Sequence, residues 1–315
     1  MLDALAGAEG DDAAARAPLA VVALPAQTDW PPWQGLLDAL HYLLACTDGP
    51  VVALLALGCC WGPRGGRSAF ERVLDRLLSA HPRLLVLWAG GSAERMAQAG
   101  LKGVMAAGQT QELSGPGQFG RAQTVGLWIR PAIALQWRVR PPASGWSAWL
   151  ARAGSTLLPD GALAAARRCA GTTELLLQLP PRQATGRWRL EIHPAHACAV
   201  QAWLLEAPEA GGLRGAGLQR PRRAAWNGLA GSRRAVRVME PGGDVPPGTL
   251  VWPLPDGGLA VLEGPSGALT AARGSSLAAA CAARAVFAQL DTAKLLQPTR
   301  TDWLRLLRQA KAART

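Results

Sequence analysis

No two of the six cysteines stand in a CxxC spacing. They fall at Cys46, Cys59, Cys60, Cys169, Cys198 and Cys281, mostly among apolar or alanine-rich neighbours, where cysteine behaves as a small hydrophobe. The adjacent pair Cys59-Cys60 has no metal-ligand spacing. A disulfide framework is therefore not expected, and a reducing compartment is the default. Long apolar runs are also missing: VVALLALGCCW at 51–61 falls well short of the ~20 residues that span a bilayer. The start, MLDALAGAEGDDAAARAP, has neither a basic leader nor a long apolar core, so it is not read as a signal peptide and the chain as given is expected in the cytoplasm. Tyrosine and phenylalanine are scarce, one and three residues against thirteen tryptophans. With alanine, arginine and glycine so abundant, that imbalance reflects base composition as much as selection. Acidic residues are outnumbered, 22 against 33 lysines and arginines. A basic balance invites acidic partners, yet no recognised nucleic-acid module accompanies it.

What is present is enough for a sizeable core. The chain has 315 residues, 49% hydrophobic and 17% charged, which suits one large domain or two smaller ones. The first third alternates strand and helix patterns. PLAVVALPA (18–26) reads as a buried strand. WQGLLDALHYLLAC (33–46) puts Leu36, Leu37, Leu40, Leu43 and Leu44 on one helical face, and Asp48-Gly49-Pro50 stops it. VVALLALG (51–58) reads as a second strand. Ser68 and Glu71 have capping-box spacing before a helix whose apolar stripe is Phe70, Val73, Leu74, Leu77 and Leu78. RLLVLWAGG (83–91) is a third strand. Apolar strands separated by helices imply a parallel sheet covered on both faces.

The middle changes character. LWIRP, ALQWRVRP, WSAWLAR, ELLLQLPP, GRWRLEIHP and AVQAWLLE follow at short intervals between 127 and 206. In one of them Trp188, Leu190 and Ile192 alternate with Arg187, Arg189, Glu191 and His193. Such spacing predicts an antiparallel sandwich. DGALAAARRCAG is a short helix or another strand. From about residue 207 a glycine- and arginine-rich stretch reads as an extended connection, followed by strand-like VRVM, TLVWPL and LAVLE. The end, TRTDWLRLLRQAKAART, is a basic amphipathic helix with Trp303, Leu304 and Leu307 on its apolar side.

Between these last segments lies ARGSSLAAACAARAVF (272–287). Two readings of its serines stay open. Ser275 or Ser276 caps a tightly packed helix, or Ser276 is a nucleophile in the positive field of a helix N-terminus. A nucleophilic serine needs an oriented base. Of the four histidines, His41 lies mid-helix, His81 at a helix C-terminus, and His193 and His196 at a turn between strands. HPAH lacks a third ligand for a metal, and GPSG at 264–267 makes no GxSxG elbow.

The order of segments resembles the subtilisin-like serine proteases. It runs DGPVVALLALG, then GGRSAFERVLDRLLSAHPRLLVLWAGG, and far downstream GSSLAAA at 274–280. That family carries Ala-Gly-Asn after its strand and Gly-Thr-Ser-x-Ala-Ala-Pro at its nucleophile. WRLEIHPAHACAVQAWLLEAPEAGGLRGAGLQRPRRAAW is similar to the end of a sandwich insert found in a bacterial subgroup. The resemblance implies an α/β fold, a partial protease core with a mostly parallel sheet (1–120 and 213–315) interrupted by an all-β insert (121–212). It implies peptide-bond hydrolysis with Ser276 as nucleophile, a peptide or protein substrate, and neither cofactor nor metal. Gly91 stands where the oxyanion-hole asparagine belongs, and the family's Asp and His motifs have no counterpart. The start resembles the helix just beyond the family's histidine, so a missing N-terminal segment or a companion chain is expected to hold the partners. By this reading the chain alone is inactive or impaired. Two alternatives are a non-catalytic protein binding through its sandwich, and nucleic-acid association through Arg220, Arg222, Arg223, Arg233 and Arg234.

Overall fold

In the computed structural model the described residues are 18–22, 33–56, 69–90, 100–116, 123–141, 145–150, 153–158, 161–169, 171–180, 187–204, 212–219, 234–239, 249–254, 259–263, 268–272 and 274–313. The chain divides into two compact units. One comprises Met1–Gly58, Phe70–Gly91 and Ser232–Thr315, the other Cys59–Ala69 and Ser92–Gly231.

The first unit starts with helix α1 (Trp33–Ala45), strand β1 (Val51–Leu55), helix α2 (Ala69–Ala80) and strand β2 (Leu84–Ala89). The apolar stripe of α1 buries Leu36, Leu40 and Leu44. Its end is held by Arg83, whose guanidinium donates to the carbonyls of Leu44 (2.7 Å), Thr47 (2.5 Å) and Gly49 (2.7 Å). A cation there satisfies carbonyls that the helix cannot and opposes its dipole. In α2 the stripe buries Phe70, Leu74, Leu77 and Leu78, while Val73, expected with them, is 42% exposed. Glu71 is buried; Ser68, its expected capping partner, lies outside the described residues.

Downstream, the unit resumes with β13 (Val236–Met239), β14 (Thr249–Val251), the hairpin β15 (Leu259–Glu263) and β16 (Ala268–Ala272), and helices α3 (Ser275–Ala293) and α4 (Arg300–Ala312). Strands β1, β2, β13 and β14 form a parallel sheet in that order. Every residue of β2 is buried: Leu85, Leu87 and Ala89 join the core under α3, and Leu84, Val86 and Trp88 are buried on the other face. Helix α3 packs against β1, β2 and β13, with Ala278, Ala279, Ala280, Ala282 and Ala283 buried. Methyl side chains let the helix axis come close to the sheet and cost no rotamer entropy. Trp303, Leu306, Leu307 and Ala310 of α4 complete this core.

The second unit is a two-sheet sandwich. Its strands are β3 (Gly100–Met105), β4 (Gln111–Pro116), β5 (Gln123–Arg130), β6 (Leu135–Arg140), β7 (Gly154–Leu157), β8 (Leu163–Cys169), β9 (Thr172–Leu179), β10 (Arg187–Pro194), β11 (Cys198–Leu204) and the two-residue β12 (Arg214–Gly215). One sheet has the order β3-β11-β5-β9-β8-β7 and the other β12-β4-β10-β6, all neighbours antiparallel. Inward residues of both sheets meet in a single core that includes Leu113, Leu127, Trp137, Leu177, Trp188, Leu190 and Trp203. Glycines make room for the indoles. Trp188 stands opposite Gly115 and Trp203 opposite Gly100, and a Cβ added at Gly115 or Gly100 would come within 2.4 or 2.3 Å of the facing ring. Trp188 also donates its ring N–H to Gln123 Oε1 at 3.1 Å, which satisfies the one polar atom it buries.

This architecture corrects the expected fold class. Among the described residues sixteen strands stand against four helices, and only the β1, β2, β13, β14 sheet is parallel. Parallel pairing needs a long crossover for each strand, and the short turns between β3 and β12 permit antiparallel pairing instead. The chain is therefore mostly β, not an α/β core with a mostly parallel sheet. Smaller expectations also shift. DGALAAARRCAG contains a strand, β8. Residues 145–150 form no strand but run beside β6, where Trp137 and Leu150 exchange backbone hydrogen bonds of 2.9 and 2.7 Å. Residues 18–22 of the expected first strand are not in one, and 23–26 lie outside the described residues.

Candidate functional site

The serines at the start of α3 hold the positions that follow its cap. Gly274 has φ of +128°, a region that side-chain-bearing residues rarely adopt. Its carbonyl accepts from both Leu277 N–H and Ala278 N–H, each at 3.1 Å. A carbonyl that takes the first intrahelical bond defines the cap. Gly274 is thus the N-cap, Ser275 the first helical residue and Ser276 the second, so neither serine caps the helix. Ser275 is buried and Ser276 half-buried. Ser276 sits in the first turn, where backbone N–H groups lack intrahelical acceptors and the dipole is positive. That environment stabilises an oxyanion or a bound anion.

The same topology separates Ser276 from the histidines of its unit. Trp303 on α4 donates its ring N–H to Pro82 O at 2.8 Å, and Arg300 donates to Arg234 O at 2.5 Å. Pro82 and Arg234 lead into β2 and β13, so α4 begins at the edge where these strands start. Helix α3 ends just before α4, and its 19 residues rise about 28 Å. Its N-terminus accordingly lies toward the edge where the strands finish, the edge marked by Gly90 N–H donating to Val238 O at 2.8 Å. His81 precedes β2 at the opposite edge, where its ring packs edge-on against His41 at 6.4 Å between centroids. The two edges are a strand's length apart, about 17–20 Å. Proton transfer needs hydrogen-bond reach, about 3 Å, and no described hydrogen bond joins Ser276 to a histidine.

His193 and His196 belong to the sandwich unit. His193 lies on β10 with Nδ1 3.3 Å from the Thr110 hydroxyl, and His196 is exposed in the turn before β11. No group of three metal-ligating side chains occurs among the described residues. Gly91, the expected oxyanion position, and Arg220, Arg222, Arg223 and Arg233 lie outside the described residues. Arg234 is half-buried. Its backbone N–H donates to Asp75 Oδ1 at 3.1 Å and its carbonyl receives Arg300, which gives it a structural role.

A charged surface that the linear sequence does not reveal lies on the outward face of the four-stranded sheet. Strand register aligns Arg214 with Ser114, Ser114 with Arg189, and Arg189 with Arg140. Arg187 lies one outward position along β10; burial first, and then the Arg214 charge, hold its guanidinium below its ordinary value. In the next row Arg138 meets Glu191 at 2.5 Å. The same guanidinium lies over the rings of Trp146 and Trp149, at 4.7 and 4.6 Å. Alternation along β10 is visible in sequence, but the pairing that brings Arg140 and Arg214 beside it is set by register across four strands.

Taken together, the site and the fold define a serine-bearing unit with a four-stranded parallel sheet, joined in one chain to a β-sandwich. No protein-family model and no curated protein matches the sequence. A solved structure does: the chain is similar to the CspB protease of Clostridium perfringens, with a TM-score of 0.56 and 14% identity. The match covers 82% of this chain and 59% of that one, so the chain spans under two thirds of its neighbour. At this identity the likeness shows a shared fold and nothing of the chemistry. Membership of the subtilisin-like family, expected from the order of motifs, is thereby corrected. Loose motifs in the right order record a chain path, and the comparisons carry that path alone. Among the described residues no helix is long and apolar enough to cross a membrane.

Proposed function

We propose that this chain is a binding protein built on a protease-like fold, one that by itself does not hydrolyse peptide bonds. The support for the protease theme is the structural likeness to a protein described as a protease. The observation that carries the non-hydrolytic reading is the position of Ser276 at one edge of the parallel sheet and of His41 and His81 at the other. Among the described residues neither histidine of its unit lies in reach of Ser276, and a serine hydroxyl without a base is a weak nucleophile. What the first turn of α3 retains is a positive end that favours an anion or a polarised carbonyl.

Binding then falls to the sandwich, whose paired sheets form a rigid platform. The test is reaction of the purified chain with a fluorophosphonate probe followed by peptide mapping. The proposal expects no modification of Ser276. Stoichiometric labelling that disappears in Ser276→Ala would overturn it.

A further inference from the structure

The strongest unexplained feature is the outward face of the sheet formed by β12, β4, β10 and β6. Among the described residues this face presents Arg138, Arg140, Arg187, Arg189 and Arg214 against two carboxylates, Glu112 and Glu191. Those carboxylates do not neutralise it. Glu191 is committed to Arg138 at 2.5 Å. Glu112 reaches Arg189 only at 3.7 Å, with both side chains about half exposed, and a pair of that kind holds its partner weakly. Three of the arginines share one cross-strand row, Arg214, Arg189 and Arg140, and Arg187 stands beside it. With neighbouring strands 4.7–4.9 Å apart, the row spans about 14 Å across four strands.

We propose that this face binds an acidic polypeptide segment laid across the strands along the arginine row. Guanidinium forks match carboxylates with paired hydrogen bonds, and every cation on the face is an arginine. The length of the row favours a short acidic segment over a nucleic-acid strand. A polyphosphate backbone requires a basic groove continuing over several nucleotides, whereas here the next row carries Glu191 and Glu112. Beside the row, Trp149 is 41% exposed and is fixed in place by the Arg138 guanidinium beneath it. It offers an apolar shelf for a hydrophobic side chain next to the acidic ones. The proposal names the partner class for the binding role proposed above.

The experiment is fluorescence anisotropy of a fluorescein-labelled oligoglutamate with the full chain. Saturable binding is expected, weakening as salt rises. Arg189→Gln combined with Arg214→Gln should weaken it about tenfold or more, with a thermal midpoint no lower than the parent's. Arg305→Gln on α4, in the other unit, should have no effect. The Arg189→Lys, Arg214→Lys pair keeps charge without the fork and should lose only part of the affinity. Absent binding, binding indifferent to the glutamine pair, or tighter binding of an oligothymidylate of matched charge would overturn the proposal. Ser276→Ala should bind the peptide as the parent does. The two readings therefore fail separately: probe labelling of Ser276 would leave this result standing, and loss of peptide binding would leave the labelling result standing.

Discussion

The two units bring backbone close to backbone by opposite means. In the first, α3 packs closely because the helix buries methyl groups, Ala278, Ala279, Ala280, Ala282 and Ala283, in one core with Leu85, Leu87 and Val238. In the sandwich the large groups come first, and glycine gives way to them: Trp188 lies over Gly115 and Trp203 over Gly100. Small residues are thus structural in both units for different reasons. A helix of alanines is shaped by what it must approach, and a glycine in a strand by what must fit above it. The run of alanine after Gly-Ser-Ser therefore needs no catalytic explanation.

The largest effect should come from a charge buried in the first unit. Glu71 is buried, and its carboxylate acts on Arg237 of β13, where burial pushes the guanidinium down and Glu71 opposes that push. Glu71→Gln leaves a buried cation with less compensation. Urea unfolding should show a loss of about 2–4 kcal/mol, less than a fully dry pair because Arg237 is half-buried.

The glycine-under-tryptophan arrangement should break next. Gly115→Ala puts a methyl 2.4 Å from the Trp188 ring, and overpacking of this kind costs about 1–3 kcal/mol. The complementary change in the first unit, Ala279→Leu, should cost a similar amount by lifting α3 from the sheet. If Ala279→Leu were neutral by urea unfolding, close approach would not be the reason for the alanines.

The smallest effect concerns α4. Thr299 accepts from Asp302 N–H at 3.3 Å while Asp302 accepts from Thr299 N–H at 3.0 Å, a reciprocal cap. Thr299→Ala should cost about 1 kcal/mol in unfolding free energy. The hydrogen bonds from the Thr299 side chain and backbone hold the Asp302 carboxyl below its ordinary value. A depressed acid contributes stability above its unfolded-state pKa, near 3.9, and loses it as pH falls through the folded value. The midpoints of the parent and Asp302→Asn should therefore differ at neutral pH and converge below about pH 4.

Local elements were legible because their patterns are local. The stripe of Leu36, Leu40 and Leu44 marks α1, and the alternation of Trp188, Leu190 and Ile192 marks β10. Val73 departs from its stripe because the helical period places it at the margin of the buried face. DGALAAARRCAG was ambiguous because alanine fits either state, and its pairing with β9 decides for a strand. The balance of the fold was less legible, since parallel or antiparallel pairing depends on which segments meet. At the serine, sequence left cap and nucleophile open. Gly274 took the cap, through a positive φ that no pattern in the neighbouring residues requires. The arginine row was hidden for the same reason as the sheet order, its members lying up to 74 residues apart, from Arg140 to Arg214.

One measurement bears most directly on the central claim, that no described histidine of the first unit serves Ser276 as a base. Purified protein and Ser276→Ala are treated in parallel with a fluorophosphonate, and adducts are located by mass spectrometry. The account predicts that Ser276 stays unmodified and that the two proteins behave alike. Complete labelling of Ser276, absent from the alanine variant, would contradict it.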